Sequence, residues 1–173
     1  MDILWTPWRL DYILSKKQPG CVLCQKIQDE LANDPANYML YRGQYSCIIL
    51  NLYPYNTGHL MVVPYAHLSD LTKVDTATLT EIGSLTQSAI SLINAVLHPE
   101  GFNLGINLGK VAGAGIDDHL HQHIVPRWAG DTNYMPVVAQ TRTIPDMLEG
   151  TYTKLRERLP EFFPAQNQFA DPS

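Results

Sequence analysis

His119-Leu120-His121-Gln122-His123-Ile124-Val125-Pro126 is the stretch on which the reading of this chain turns. Side chains alternate between the two faces of a strand, so an extended conformation puts His119, His121 and His123 on one face and Leu120 and Ile124 on the other. Three imidazoles on one face are hard to explain by packing, because each ring needs hydrogen-bond partners once buried. Two kinds of chemistry compete for them. They could ligate a catalytic metal with an open position for water. Alternatively, one neutral imidazole attacks phosphorus while a second orients or protonates the reacting group. Strand spacing alone does not choose.

The residues just upstream bear on that choice. Asn107-Leu108-Gly109-Lys110-Val111-Ala112-Gly113-Ala114-Gly115 is a glycine-rich loop, and its glycines, Gly113 and Gly115 among them, let backbone N–H groups come close to phosphate oxygens. A phosphate substrate is favoured. Asp117 and Asp118 read as turn residues or as acceptors behind a ligand.

Further out, Leu79, Ile82, Leu85, Ala89, Ile93 and Val96 recur at three- and four-residue steps, predicting a long helix over 76–97 with Asp75 as its N-cap. It ends near Pro99 and Gly101, and a strand over 102–107 follows. Before the helix, apolar runs at 38–42 and 45–50 split by Gly43 read as a hairpin, and the loop 51–58 leads into a strand over 59–64. A short helix is expected after Cys24, ending before Asn33-Asp34-Pro35. The final helix is expected to start at Pro145 and end near Leu159, with a flexible tail over 160–173. Residues 1–36 form an aromatic-rich arm containing Trp5, Trp8 and Tyr12. Strands in two clusters around one long helix give an α+β meander in a single domain, not a doubly wound sheet.

Composition sets the outer bounds. With 173 residues, 45% of them hydrophobic and 17% charged, the chain can bury a core without disulfides or metal. Twelve Lys plus Arg against 17 Asp plus Glu leave a net charge of −5, which provides no general footprint for nucleic acid. No secretory signal or membrane span is evident, so a soluble cytoplasmic protein is expected. Cys21 and Cys24 have the two-residue gap that lets both thiolates reach one metal; a metal-free pair or a redox pair are the alternatives, the latter without the βαβ context it needs. Cys47 reads as core, and His98 as a charge partner at a helix end. Trp5, Trp8, Tyr53, Tyr55 and Trp128 either stack on a base or an interface, or pack in the core.

The His119-x-His121-x-His123 strand, Asn107 with the glycine-rich loop, and Gly58-His59-Leu60-Met61-Val62-Val63-Pro64 together resemble the histidine triad (HIT) superfamily of nucleotide hydrolases and transferases, over about residues 21–136. Leu4-Trp5-Thr6-Pro7-Trp8-Arg9, Asn51-Leu52-Tyr53-Pro54-Tyr55-Asn56 and Val125-Pro126-Arg127-Trp128-Ala129-Gly130-Asp131-Thr132-Asn133 look most like its bacterial diadenosine tetraphosphate phosphorylases. The resemblance implies a HIT-like α+β fold: an antiparallel meander sheet with one long helix and a C-terminal helix. It implies that His121 is the nucleophile that takes a nucleoside monophosphate from the α-phosphorus, with His123 and His59 binding or orienting phosphate. Asn51 would hold the ribose hydroxyls, and Asn107 would place His121 or the phosphate. Inorganic phosphate then resolves the nucleotidyl-histidine to ADP after ATP has left; in a hydrolase or phosphoramidase, water does so. Many family hydrolases carry a polar side chain four residues before the first triad histidine, where this chain has Gly115.

Resemblance to zinc-containing triad proteins and to galactose-phosphate uridylyltransferases implies a structural zinc on Cys21, Cys24, His67 and His119. Family resemblance also implies a homodimer or higher homo-oligomer acting on adenine nucleotides and dinucleoside polyphosphates. Two readings from other classes stay open: a nucleotide-binding regulator with little turnover, and a metalloenzyme using the three histidines as ligands.

Overall fold

The computed structural model describes residues 20–131 and 147–163. Trp5, Trp8, Tyr12, Thr132, Asn133, Pro145 and most of the expected tail lie outside the described residues.

Five strands form one antiparallel sheet: β1 (Met39–Arg42), β2 (Ser46–Leu50), β3 (Leu60–Pro64), β4 (Gly101–Ile106) and β5 (Gln122–Arg127), in the order β1-β2-β3-β5-β4. The hairpin between β1 and β2 turns at Gly43, whose N–H donates to the Ser46 carbonyl at 2.8 Å. The Glu81 carboxylate accepts the N–H groups of Gln44 and Tyr45 at 2.6 and 2.7 Å, fastening this turn to the long helix. Strand β1 starts at Met39 because Tyr38 is left-handed, with φ 57°, at the end of a one-turn helix, α2 (Asp34–Asn37).

The long helix α3 spans Thr76–Leu97 as its periodicity predicts, and Asp75 caps it by accepting from the Thr78 N–H at 2.9 Å. Its buried face, Ile82, Leu85, Ala89, Leu92 and Ile93, packs on Leu40, Ile48, Leu50, Leu60, Val62 and Ile124 of the sheet. Leu79, expected on that face, is 42% exposed. The last helix, α4 (Leu148–Arg158), adds Tyr152 and Leu155 to the same core, and its Tyr152 hydroxyl and Arg156 guanidinium donate to the carbonyls of Met39 and Leu40. Burying each large aliphatic of this layer is worth about 1.5–3 kcal/mol.

The opposite sheet face divides in two. Over β1, β2 and β3 it is covered by the first helix, α1 (Val22–Gln28), which seats Leu23 against Met39, Cys47, Ile49, Met61 and Val63. This helix includes Cys24, whereas the sequence reading placed it after Cys24. Arg42 holds its far end: the guanidinium donates to the Ile27 carbonyl at 2.6 Å and pairs with the buried Asp34 at 2.7 Å. Over β4 and β5 the face is open.

Strand β5 begins three residues later than expected. Its partner β3 ends at Pro64, which has no N–H to continue the ladder. The Leu120 N–H turns instead to the Leu68 carbonyl at 2.7 Å, so residues 119–121 leave the sheet and only His123 of the three histidines lies in a strand. The expected single face of three imidazoles is therefore corrected: His119 turns toward the Cys pair, while His121 and His123 meet each other. Cys47 is fully buried in β2, as expected. His98 stands at the C-terminal end of α3, where the sequence places it, in a left-handed conformation with φ 50°; its carbonyl accepts from the Trp128 indole at 3.2 Å. No described helix is long and apolar enough to cross a membrane.

Candidate active site

His59 leads into β3 and His123 sits on β5, facing the open half of the sheet where Met61 and His123 are paired across the two strands. The loop 51–58 folds back over His59. There the Tyr55 N–H donates to His59 Nδ1 at 3.1 Å, and the Tyr55 ring stacks on the imidazole at 5.0 Å. Asn51 Oδ1 accepts from the Tyr53 N–H at 2.9 Å, which turns its amide nitrogen toward His59 Nδ1 at 3.4 Å.

These contacts fix the protons. An Nδ1 that accepts from a backbone N–H leaves a neutral His59 with its hydrogen on Nε2. That hydrogen points at His123 Nδ1, 3.0 Å away, so His123 in turn carries its own hydrogen on Nε2. His121 has the opposite arrangement: its Nδ1 lies 2.9 Å from the His119 carbonyl, which can only accept, so Nδ1 is protonated and Nε2 keeps its lone pair. The two rings are edge to face with centroids 4.8 Å apart. A ring with a bare Nε2 and a ring with an Nε2–H are thus in contact.

Burial keeps His59 and His123 neutral. Desolvation, with repulsion from His123 and His121, pushes His59 down to about 3, and desolvation with repulsion from His121 pushes His123 down to about 4.

A cleft of about 420 Å³ opens beside His123, lined by Asn103, Gly105 and Asn107 on one side and by Ala112 and Gly113 of the glycine-rich loop on another. Gly113 has φ +88°, which favours glycine there, while a Cβ would meet open space. Gly105 pairs with His123 across β4 and β5, and strand-interior glycine marks a place where a ligand can approach the backbone. Of the residues singled out in the sequence, Tyr55, Asn107, Gly113 and His123 line this cleft; His121, beside His123, and His59 and Gly115 do not, and Asn51 sits behind it against His59. Sequence reasoning assigned no role to Asn103, Gly105, Asn56, Arg127 or Asp131, which also line it. The alternation 103, 105, 107 along one strand face was the available signal.

The second grouping lies on the other side of His119. Cys21, Cys24, His67 and His119 place one donor atom each within 4.8 Å of one another, the only such grouping among the described residues. His119 Nδ1 is 3.3 Å from Cys21 Sγ, 3.4 Å from Cys24 Sγ and 3.3 Å from His67 Nδ1, and Cys24 Sγ is 3.2 Å from His67 Nδ1. Tetrahedral zinc with thiolate and imidazole ligands sets donor–donor edges of roughly 3.3–3.8 Å, so the four atoms fit the ion. His119 Nε2 donates to the Pro64 carbonyl at 2.8 Å, which leaves Nδ1 as the free ligand atom. Burial and the neighbouring Cys21 raise the Cys24 thiol in the metal-free state. Asp118 Oδ2 stands 3.9 Å from His67 Nε2, behind the cluster, and Asp117 pairs with Lys110. Since His119 belongs to this grouping, the three histidines do not converge on one metal.

Residues 33–130 match the family model described as HIT domain. An AP-4-A phosphorylase of Mycobacterium tuberculosis (strain ATCC 25618 / H37Rv) is 39% identical over 154 residues, covering 86% of this chain and 79% of the relative. Among solved structures, a Zn-bound histidine triad family protein from Mycobacterium smegmatis is similar with a TM-score of 0.65 and 29% identity, over 82% of this chain and 94% of that one. A hypothetical histidine triad nucleotide-binding protein from Sulfolobus tokodaii is similar with a TM-score of 0.64 and 27% identity, over 82% of this chain and 93% of that one. With its histidines, glycine-rich loop and sheet in this arrangement, the chain belongs to the HIT-domain family.

Proposed function

We propose that this protein is a nucleotidyl-transferring enzyme that phosphorolyses dinucleoside polyphosphates, converting diadenosine tetraphosphate and inorganic phosphate to ADP and ATP. The observation that carries the reading is the pairing of a bare Nε2 on His121 with an N–H on His123 Nε2, beside a cleft bounded by a glycine-rich loop. Likeness to a protein named AP-4-A phosphorylase supports the choice of substrate.

His121 Nε2 attacks the α-phosphorus, forming a P–N bond as the bond to the bridging oxygen breaks and ATP leaves. The positive charge that develops on the imidazole is spread to Nδ1–H, where the His119 carbonyl already accepts. His123 Nε2–H donates to a phosphate oxygen as charge builds. Inorganic phosphate then attacks the adenylyl-histidine, releases ADP and returns the lone pair to His121. Asn107 and the backbone of Gly113 supply further donors along the cleft.

Cys21, Cys24, His67 and His119 would hold a zinc ion. With four protein ligands the ion supplies a structural anchor, tying α1 to the segment that carries His121. Elemental analysis is expected to find about one zinc per chain, lost in Cys24→Ser, with lower thermal stability on chelation.

Incubation with diadenosine tetraphosphate, with and without phosphate, tests the activity. ADP plus ATP formed only with phosphate is expected; AMP plus ATP formed without it would replace the phosphorylase with a hydrolase. Labelled substrate should leave an acid-labile adduct that His121→Ala abolishes.

A further inference from the structure

The loop that carries Tyr55 to His59 is held at a point far away in sequence. Asn56 Nδ2 donates to Asp131 Oδ2 at 2.8 Å and to the Pro126 carbonyl at 2.9 Å. Asp131 is itself fixed: Arg127 donates to its carboxylate through Nε at 2.5 Å and Nη2 at 2.8 Å, and the Trp128 N–H lies 3.3 Å away. Arg127 Nη1 continues the chain to Asn103 Oδ1 on β4 at 2.7 Å. The loop 51–58 is otherwise without regular structure, and the carbonyl of Asn56 accepts the His59 N–H at 3.2 Å. Displacing Asn56 therefore displaces both the residue that donates to His59 and the start of β3.

We propose that Asp131 and Asn56 are positioning residues for the reaction: they latch the loop 51–58 so that the Tyr55 N–H stays on His59 Nδ1, and through His59 keep the hydrogen of His123 on Nε2, facing the cleft. The inference rests on His123 being the donor under the proposed function. It makes an additional claim, that the donor is set from the far end of β5 and not by the histidines alone. Asp131 and Asn56 line the cleft, but the Asn56 amide nitrogen and the Asp131 carboxylate are directed at each other and at β5, so their effect passes through the loop.

The test uses Asp131→Ala, Asn56→Ala and the conservative Asp131→Asn, which keeps one oxygen for Asn56. Long-range nitrogen–proton NMR spectra of the substrate-free protein read which ring nitrogen of His59 and His123 carries hydrogen. Wild type is expected to show both rings as Nε2–H. Both alanine variants should gain a measurable Nδ1–H fraction, with kcat lowered roughly 10- to 100-fold and KM little changed; Asp131→Asn should recover most of both. Asn56→Ala leaves the Arg127–Asp131 pair in place, so it carries the test if Asp131→Ala does not fold. Unchanged ring states in a folded alanine variant, or a loss of activity that merely follows melting temperature, would overturn the latch. Because the ring states are read without substrate, a wild type that turns over no dinucleotide, with the shift still present in the alanine variants, removes the function and leaves the latch standing.

Discussion

Lowering the pH from 7 to 5 perturbs the two neutral imidazoles at the centre of the site, and the expected loss of stability can be worked from their surroundings. A histidine kept neutral by burial binds fewer protons folded than unfolded, so stability falls as pH drops below the unfolded value and goes on falling until the folded value is reached. For His59 that window runs from 6.5 to about 3, and for His123 from 6.5 to about 4. At pH 5 the deeply buried His59 should cost about 2 kcal/mol, and the half-buried His123 about 1 kcal/mol once solvent screening is allowed for. At roughly 2–4 °C per kcal/mol for a chain of this size, the combined loss is a fall in Tm of about 6–12 °C. Carboxylates, which titrate near pH 4 when unfolded, add little above pH 5. Denaturant unfolding of wild type and the His59→Gln/His123→Gln double variant across pH 5–7 makes the comparison; both proteins share the Cys21, Cys24, His67 and His119 cluster, so its contribution cancels in the difference. The double variant should show the flatter dependence, and parallel curves would refute the neutral-pair description.

Two stability predictions test the frame. Arg42→Met strands the Asp34 carboxylate and removes the donor from the Ile27 carbonyl, so it should cost about 3–5 kcal/mol in urea unfolding, and adding Asp34→Asn should recover part of that. Gly58→Ala must adopt φ +76° and drives a Cβ into Leu97 Cδ1; a loss of about 1–3 kcal/mol is expected by the same measurement.

Much of the site was legible because its chemistry is concentrated in short motifs. His121 and His123, the Cys21–Cys24 pair and the helix capped by Asp75 are all local patterns, and the structure brings the four expected metal-type donors together. The misplaced boundaries have local causes that periodicity does not encode. A left-handed Tyr38 delays β1, and the missing N–H of Pro64 peels residues 119–121 from the sheet and separates His119 from His121 and His123. Leu79 fits the apolar period and still faces outward, while the buried face takes Thr78 and Thr86, whose hydroxyls find partners in Asp75 and the Ile82 carbonyl. The bond from Asn56 to Asp131 crosses 75 positions and joins two polar residues, so neither hydrophobic pattern nor motif spacing could announce it.

The hydrogens of the imidazole pair are set by main-chain groups: the N–H of Tyr55 for His59 and the carbonyl of His119 for His121. Every amino acid supplies that carbonyl, and every one except proline supplies that N–H. Position 55 can therefore take any side chain but proline's without erasing its contact, provided the backbone keeps its course, whereas position 119 is held to histidine by the cluster its imidazole joins and not by the contact its carbonyl makes. Inherited change would reach the proton arrangement through the path of the chain, and the side chains that fix that path carry the selective burden.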